Sequence, residues 1–152
     1  ATEAQTLALS AFLPYRLAVL SNTISTSIAD MYDREFGLTI WQWRIMAVVG
    51  EHPGLSATEA GARATMDKVA VSRAGSGLIE RGDLKRVPAK DDGRRFELSL
   101  TEQGKTIYRQ VIPIALAYER ELLAGFDPAD LETLKALMTK LARLAAPDRT
   151  LW

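Results

Sequence analysis

The chain has 152 residues, 47% of them apolar, with no cysteine and 19 basic against 19 acidic side chains, for a formal charge of zero. That length suits one domain with a buried core, and the absence of cysteine excludes disulfides, thiolate chemistry and the usual structural zinc sites. No run approaches the ~18 consecutive apolar residues of a membrane span, and the first twelve residues carry no basic stretch of the kind that opens a secretory signal, so the expected location is cytoplasmic.

The charge is unevenly spread. Residues 1–60 sum to −3 and residues 111–152 to −1, whereas residues 61–110 sum to +4, with 11 basic and 7 acidic side chains. A local basic segment is what phosphate binding needs; a solvated charged surface is the alternative.

In chain order, residues 4–34 repeat apolar side chains at helical steps (Leu9, Leu13, Leu20, Ile24, Ile28, Met31), with Pro14 placed to bend or delimit the helix and Gly37 to end it. Thr39-x-x-Gln42 is a capping box that opens a helix from Ile40 to about Glu51, stopped by Pro53-Gly54. Ser56-x-x-Glu59 opens a short helix to about Ala64. Asp67 or Thr65 caps the next, which ends at Gly82. Leu84–Val87 and the alternating Phe96–Leu100 read as two strands around the polar turn Asp91-Asp92-Gly93-Arg94, with Phe96, Leu98 and Leu100 on one buried face. Thr101 caps a helix to about Leu123 with a kink expected near Pro113, and Asp127-Pro128 starts a last helix that buries Leu131, Leu134, Leu137, Met138, Leu141 and Leu144.

The expected fold is therefore mainly α with a small β-hairpin, a winged helix-turn-helix over residues 38–101 flanked by N- and C-terminal dimerisation helices at 1–36 and 102–152, all in one domain of residues 1–152. The flanking helices are too apolar for the small central unit to cover, which argues for a homodimer.

Two short helices followed by a hairpin present one helix to a DNA major groove and a basic tip to the backbone or minor groove. On the helix 67–82, Val71, Ala74 and Leu78 share the core face, leaving Lys68, Val69, Ala70, Ser72, Arg73 and Ser76 outward. Small side chains allow close approach to base edges, Val69 or Ala70 suits a thymine methyl, and Arg73 suits guanine. The alternative is a solvated face with Arg73 paired to Glu80 or Asp67. Ser56 and Thr65, at the ends of the preceding helix, join the DNA-facing set. In the wing, Asp92 sits two residues before Arg94 across Gly93, so its carboxylate can hold that guanidinium extended toward a minor groove, while Lys90 and Arg95 add phosphate contacts. Gly75 and Gly77 each cost about 1 kcal/mol against alanine inside a helix, which points to close packing or local flexibility.

An enzyme reading fares badly. The one histidine, His52, lies in a Glu-His-Pro-Gly turn, and neither a glycine-rich phosphate loop nor metal-ligand spacing is present, so no cofactor or metal is expected. A winged-helix module that binds protein without reading DNA is the remaining competitor.

Leu38-Thr39, Trp43-Arg44, Leu55-Ser56, Asp67-Lys68, Val71-Ser72-Arg73, Leu78, Gly82, Asp92-Gly93-Arg94 and Leu100-Thr101-Glu102-Gln103-Gly104 resemble the MarR family of winged helix-turn-helix regulators. The resemblance spans nearly the whole chain and is most specific at the Asp-x-Arg wing followed by Leu-Thr-x-x-Gly. It implies a homodimer on double-stranded DNA at a pseudo-palindromic operator, with Arg94 in a flanking minor groove. It further implies a repressor that a small ligand releases by favouring a dimer state whose recognition helices no longer match successive major grooves. The effector pocket it implies lies where the dimerisation helices meet the winged unit. Tyr15, Arg16, Trp41 and Arg44 are the candidates for an aromatic acid, with plain core packing or subunit bridging as the alternative. The stretch Met66–Ala74 is similar to regulators of aromatic catabolism, which adds a coenzyme A thioester to the candidate effectors.

Overall fold

The computed structural model describes residues 4–91 and 93–152. Among them are six α-helices and one antiparallel hairpin: α1 (Leu13–Phe36), α2 (Ile40–Glu51), α3 (Ala57–Ala64), α4 (Lys68–Arg81), β1 (Leu84–Pro88), β2 (Phe96–Leu100), α5 (Glu102–Leu122) and α6 (Pro128–Ala145), with a 3-10 turn at Leu9–Ala11. The backbone gathers into two compact units, one ending at Ile112 and the other running from Pro113 to Trp152.

Local signals fix most element ends. At α2, Thr39 Oγ1 accepts from Gln42 N at 3.1 Å and Gln42 Oε1 accepts from Thr39 N at 3.0 Å, the reciprocal box that satisfies two orphan donors. The first helix starts later than its apolar repeat suggests. Pro14 lies in its first turn, where a missing N–H costs nothing, and the residues before it form only the 3-10 turn. Pro14 thus delimits α1 rather than bending it. The fifth helix continues through Pro113, whose ring removes the bond to the Arg109 carbonyl.

The core of the first unit lies where α2, α3 and α4 meet the hairpin. Ile45, Met46, Ala60, Val71, Ala74, Leu78, Leu84, Leu98 and Leu100 are all buried there. Leu98 N donates to Leu55 O at 2.8 Å, stitching β2 to the turn before α3. Along the other side Trp43 is sandwiched between Tyr32 and Tyr108, with ring centroids 5.3 and 5.9 Å away, as its reading as a core residue requires.

Two burial expectations fail. Phe96 pairs with Pro88 at the tip side of the hairpin and stays half exposed, its ring covered only by the Arg86 guanidinium at 5.6 Å. Leu137, Met138, Leu141 and Leu144 of α6 are exposed, and Leu131 and Leu134 only half-buried, because nothing in a single copy covers that stripe. On α1, likewise, Leu13, Leu17 and Leu20 face outward while Ile28, Met31 and Phe36 pack against the core.

Gly104 carries the tightest contact of the fold: a Cβ there would lie 2.0 Å from the Asp83 carbonyl oxygen, a backbone atom that cannot turn aside. Gly104→Ala is therefore expected to destabilise by at least about 2–3 kcal/mol. Gly75 has nothing within 4 Å of such an atom, so Gly75→Ala should stabilise by up to about 1 kcal/mol through helix propensity. Urea unfolding of both variants checks the pair; equal effects would show that contact geometry does not decide them.

Candidate nucleic-acid interface

The helix-turn-helix is built by two caps and one reversal. Ser56 Oγ accepts from Glu59 N at 3.2 Å and Glu59 Oε1 accepts from Ser56 N at 3.1 Å, opening α3. Thr65 closes that helix in the left-handed region, with φ +56°, a conformation uncommon outside glycine and asparagine. Of the two candidate caps for α4, Asp67 is the one used: its Oδ1 accepts from Ala70 N at 2.8 Å. The two helices cross closely at Gly61, where a Cβ would meet Val71 Cγ2 at 2.6 Å.

With Val71, Ala74 and Leu78 turned into the core, the outer face of α4 carries exposed Lys68, Val69, Ser72, Arg73 and Ser76 and half-buried Ala70. Arg73 forms no ion pair with Asp67 or Glu80, so the solvated-pair alternative is not what the structure records. The two odd glycines separate. A Cβ at Gly77 would meet Gln42 Nε2 at 2.6 Å, which is close packing on α2, whereas Gly75 opens onto a groove of about 650 Å³. Lys68, Ser72, Ser76 and Arg86 edge that groove, and Ile45, Val71 and Leu98 lie among its apolar lining.

Ala89 N donates to Arg95 O at 2.9 Å and closes the base of the wing, beyond which Lys90, Gly93 and Arg94 are exposed. Asp92, the expected partner of Arg94, lies outside the described residues. Arg95, expected on phosphate, pairs with Glu59 of α3 and so straps the wing to the helix-turn-helix. Two features escape the sequence reading. The register Arg86↔Leu98 turns Arg86 onto the inner face of the wing, a placement the alternation of Leu84 to Val87 implies. Buried Asp83 and its partners Arg81 and Gln103 have no local pattern at all.

Of the effector candidates, Trp41 and Arg44 come together, the guanidinium 5.2 Å from the indole centroid. Tyr15 and Arg16 stand exposed in the first turn of α1, with Arg16 ~18 Å along the axis before Ile28, which packs on the core. Among the described residues neither has a polar or ring partner within the protomer. His52 lies 3.3 Å from an Arg63 nitrogen and 3.8 Å from Glu51. Among the described residues no three His, Asp or Glu side chains gather as metal ligands, and no helix is long and apolar enough to cross a membrane.

A MarR family model matches residues 36–95, from the end of α1 through the wing. The HTH-type transcriptional repressor Rv2887 of Mycobacterium tuberculosis (strain ATCC 25618 / H37Rv) is 24% identical over 86% of this chain and 91% of its own length. The crystal structure of a MarR/EmrR family transcriptional regulator from Acinetobacter sp. ADP1 matches with a TM-score of 0.85 and 25% identity, over 93% of this chain and 99% of that one. The chain belongs to the MarR family. The fold is also that of the PcaV transcriptional regulator from Streptomyces coelicolor, solved in complex with its natural ligand, with a TM-score of 0.74 at 21% identity over 93% of this chain and 99% of that one. As a MarR family member the chain is a DNA-binding transcriptional regulator and not an enzyme.

Glu59 joins the two halves of this interface. Its carboxyl is held below the usual glutamate range, first by the Ser56 backbone N–H, then by the Ser56 hydroxyl and the Arg95 guanidinium, against a smaller opposing effect of desolvation. A depressed folded-state pKa contributes stability above the unfolded value, and that contribution is lost as pH falls through the folded one. Wild type should therefore lose an increment of stability on acidification that Glu59→Gln lacks. Urea midpoints compared across about pH 3 to 6 check this; parallel profiles would mean that the cap and strap contribute nothing.

Proposed function

We propose that the protein acts as a homodimeric repressor, reading a pseudo-palindromic operator with one α4 helix in each half-site and released by a small ligand. The observation that carries the DNA reading is the outer face of α4. Lys68, Val69, Ser72, Arg73 and Ser76 are exposed on a helix whose opposite face is fully engaged in the core, and the exposed wing residues Lys90 and Arg94 follow it in the same unit. In this reading Arg73 takes a guanine edge, Val69 or Ala70 a thymine methyl, and Lys68, Ser72 and Ser76 phosphates or base edges. Ser56 and Thr65 add backbone contacts from α3. Lys90 contacts phosphate, and Arg94, oriented by Asp92, enters the flanking minor groove. Arg95 reaches phosphate only by exchanging the Glu59 carboxylate for it.

The dimer reading is supported by the uncovered stripes of α1 and α6, each long enough to be a liability on a monomer. Repression follows the printed function of the mycobacterial relative. Ligand release follows from the ligand-bound PcaV structure. It requires a ligand that favours a dimer whose α4 helices depart from the ~34–36 Å that matches successive major grooves. Trp41 with Arg44 offers a planar carboxylate a stacking face and a charge-assisted donor; Tyr15 and Arg16 complete the proposed site. The effector class is an aromatic acid or its coenzyme A thioester, and the location is cytoplasmic.

Charge reversal discriminates DNA reading from protein binding. Arg73→Glu and Arg94→Glu should each weaken binding to promoter DNA at least tenfold, and each lost phosphate contact should reduce the slope of log K against log salt by about 0.9. Promoter fragments bound as tightly as by wild type would overturn the reading. For the effector, a thermal-shift screen of aromatic acids and acyl thioesters should raise the melting temperature of wild type by several degrees for at least one compound and that of Arg44→Ala by much less. A library-wide absence of shift would remove the proposed ligand class.

A further inference from the structure

The last residue of α4 does not face the groove. Arg81 donates from Nη1 to the Gly37 carbonyl at 2.7 Å and from Nη2 to the Phe36 carbonyl at 3.0 Å, while its Nε donates to Asp83 Oδ2 at 2.8 Å. Asp83 has no exposed surface. Its second carboxylate oxygen accepts from Gln103 Nε2 at 2.8 Å, and the same amide nitrogen donates to the Arg81 carbonyl at 3.0 Å. One guanidinium and one carboxylate thereby tie together the end of α1, the end of α4, the start of β1 and the first turn of α5.

The two carbonyls sit at a particular place. Phe36 ends α1, Gly37 follows in the left-handed region with φ +65°, and Thr39 already caps α2. The chain thus passes from α1 into the winged unit through a turn that begins on glycine, the residue with the softest dihedrals. The last carbonyls of a helix lack N–H partners and carry the negative end of its dipole. Arg81 satisfies two of them with a charged, planar fork, a geometry lysine cannot reproduce. A Cβ on Gly37 would lie 3.3 Å from Arg81 Nη1, so the guanidinium rests against the turn itself.

We propose that Arg81, held by buried Asp83, is a positioning residue that locks this turn, so that the angle between the recognition helix and α1 is fixed and, with it, the separation of the two recognition helices in the dimer. The inference rests on the dimeric operator-reading above. Without the clamp, the winged unit would still fold and still contact a half-site, but it could swing about the Gly37 turn and accept half-sites at the wrong distance.

The experiment uses a palindromic DNA fragment selected by the wild-type protein from random sequence, together with versions differing only in the number of base pairs between half-sites. Each added base pair moves one half-site ~3.4 Å along and ~35° around the duplex. Wild type should bind one spacing about tenfold more tightly than the spacings one base pair shorter or longer, and Arg81→Lys should narrow that preference to within about threefold while leaving affinity for an isolated half-site unchanged. Arg81→Met combined with Asp83→Leu removes the clamp without stranding a buried carboxylate, and should give the same flattened profile in a protein that still melts cooperatively. Spacing profiles parallel to that of wild type in both variants would overturn the proposal. So would an equal loss of affinity for every fragment, half-site included, which would assign Arg81 to stability alone. A flat wild-type profile would instead remove the dimeric reading, and the clamp proposal with it.

Discussion

A carboxylate with no exposed surface has to be matched on every side, and Asp83 imposes that requirement on four elements at once. Its two oxygens are taken by Arg81 and Gln103, its backbone N–H by the Leu78 carbonyl and its carbonyl by Thr101 N. Removing one partner from such a buried pair costs about 3–5 kcal/mol in general, because the surviving charge stays unsolvated. The residues around it are therefore constrained more tightly than their own chemistry suggests. Thr101 Oγ1 donates to the Gly82 carbonyl and accepts from Gly104 N, and position 104 has no room for a Cβ against the Asp83 carbonyl. The Leu-Thr-x-x-Gly stretch at residues 100–104 is in this light the far wall of the Asp83 site, joining the wing to α5.

The same constraint explains why the recognition helix has a division of labour along its length. Its first two turns are held by local means, the Asp67 cap and the close contact of Val71 with Gly61, and those means leave the outer side chains unengaged. Its last residue is committed inward to Arg81's four partners. A helix anchored on its core stripe by only Val71, Ala74 and Leu78 would otherwise be weakly held, since those three carry most of its burial. The wing repeats the pattern on a smaller scale. Arg95 is strapped to Glu59, while Lys90 at the tip stays exposed.

What could be read from the chain follows from the range of each interaction. The capping boxes at Thr39 and Ser56 and the cap at Asp67 act over three residues, so they are written in the sequence and stand as expected. The alternation of Phe96–Leu100 gave the strand but not the limit of the core, which ends before Phe96. Thr65 carried two possible roles, and only the left-handed turn it makes decides between them. The Arg81 contacts to Phe36 and Gly37 span 45 and 44 residues, and no periodicity or motif connects those positions. The apolar stripes of α1 and α6 were read correctly as stripes; their burial was assigned to a chain that in one copy cannot supply it.

These ranges bear on how a signal could pass from ligand to DNA. Interactions that act within a helix keep α4 intact whatever the rest of the molecule does, so they cannot carry information between subunits. A contact that reaches from the end of α4 across the Gly37 turn to the end of α1 is different in kind, because its geometry changes only if the two helices move relative to one another. Trp41 and Arg44 lie one and four residues beyond Ile40, the first residue of α2, on the lobe side of that same turn. A ligand wedged against them would act on the short connection that Arg81 holds from the other side. Under the dimeric reading, the turn at Gly37 is then the bistable element on which both bias, and the differential affinity a ligand needs reduces to its preference for one setting of that turn over the other.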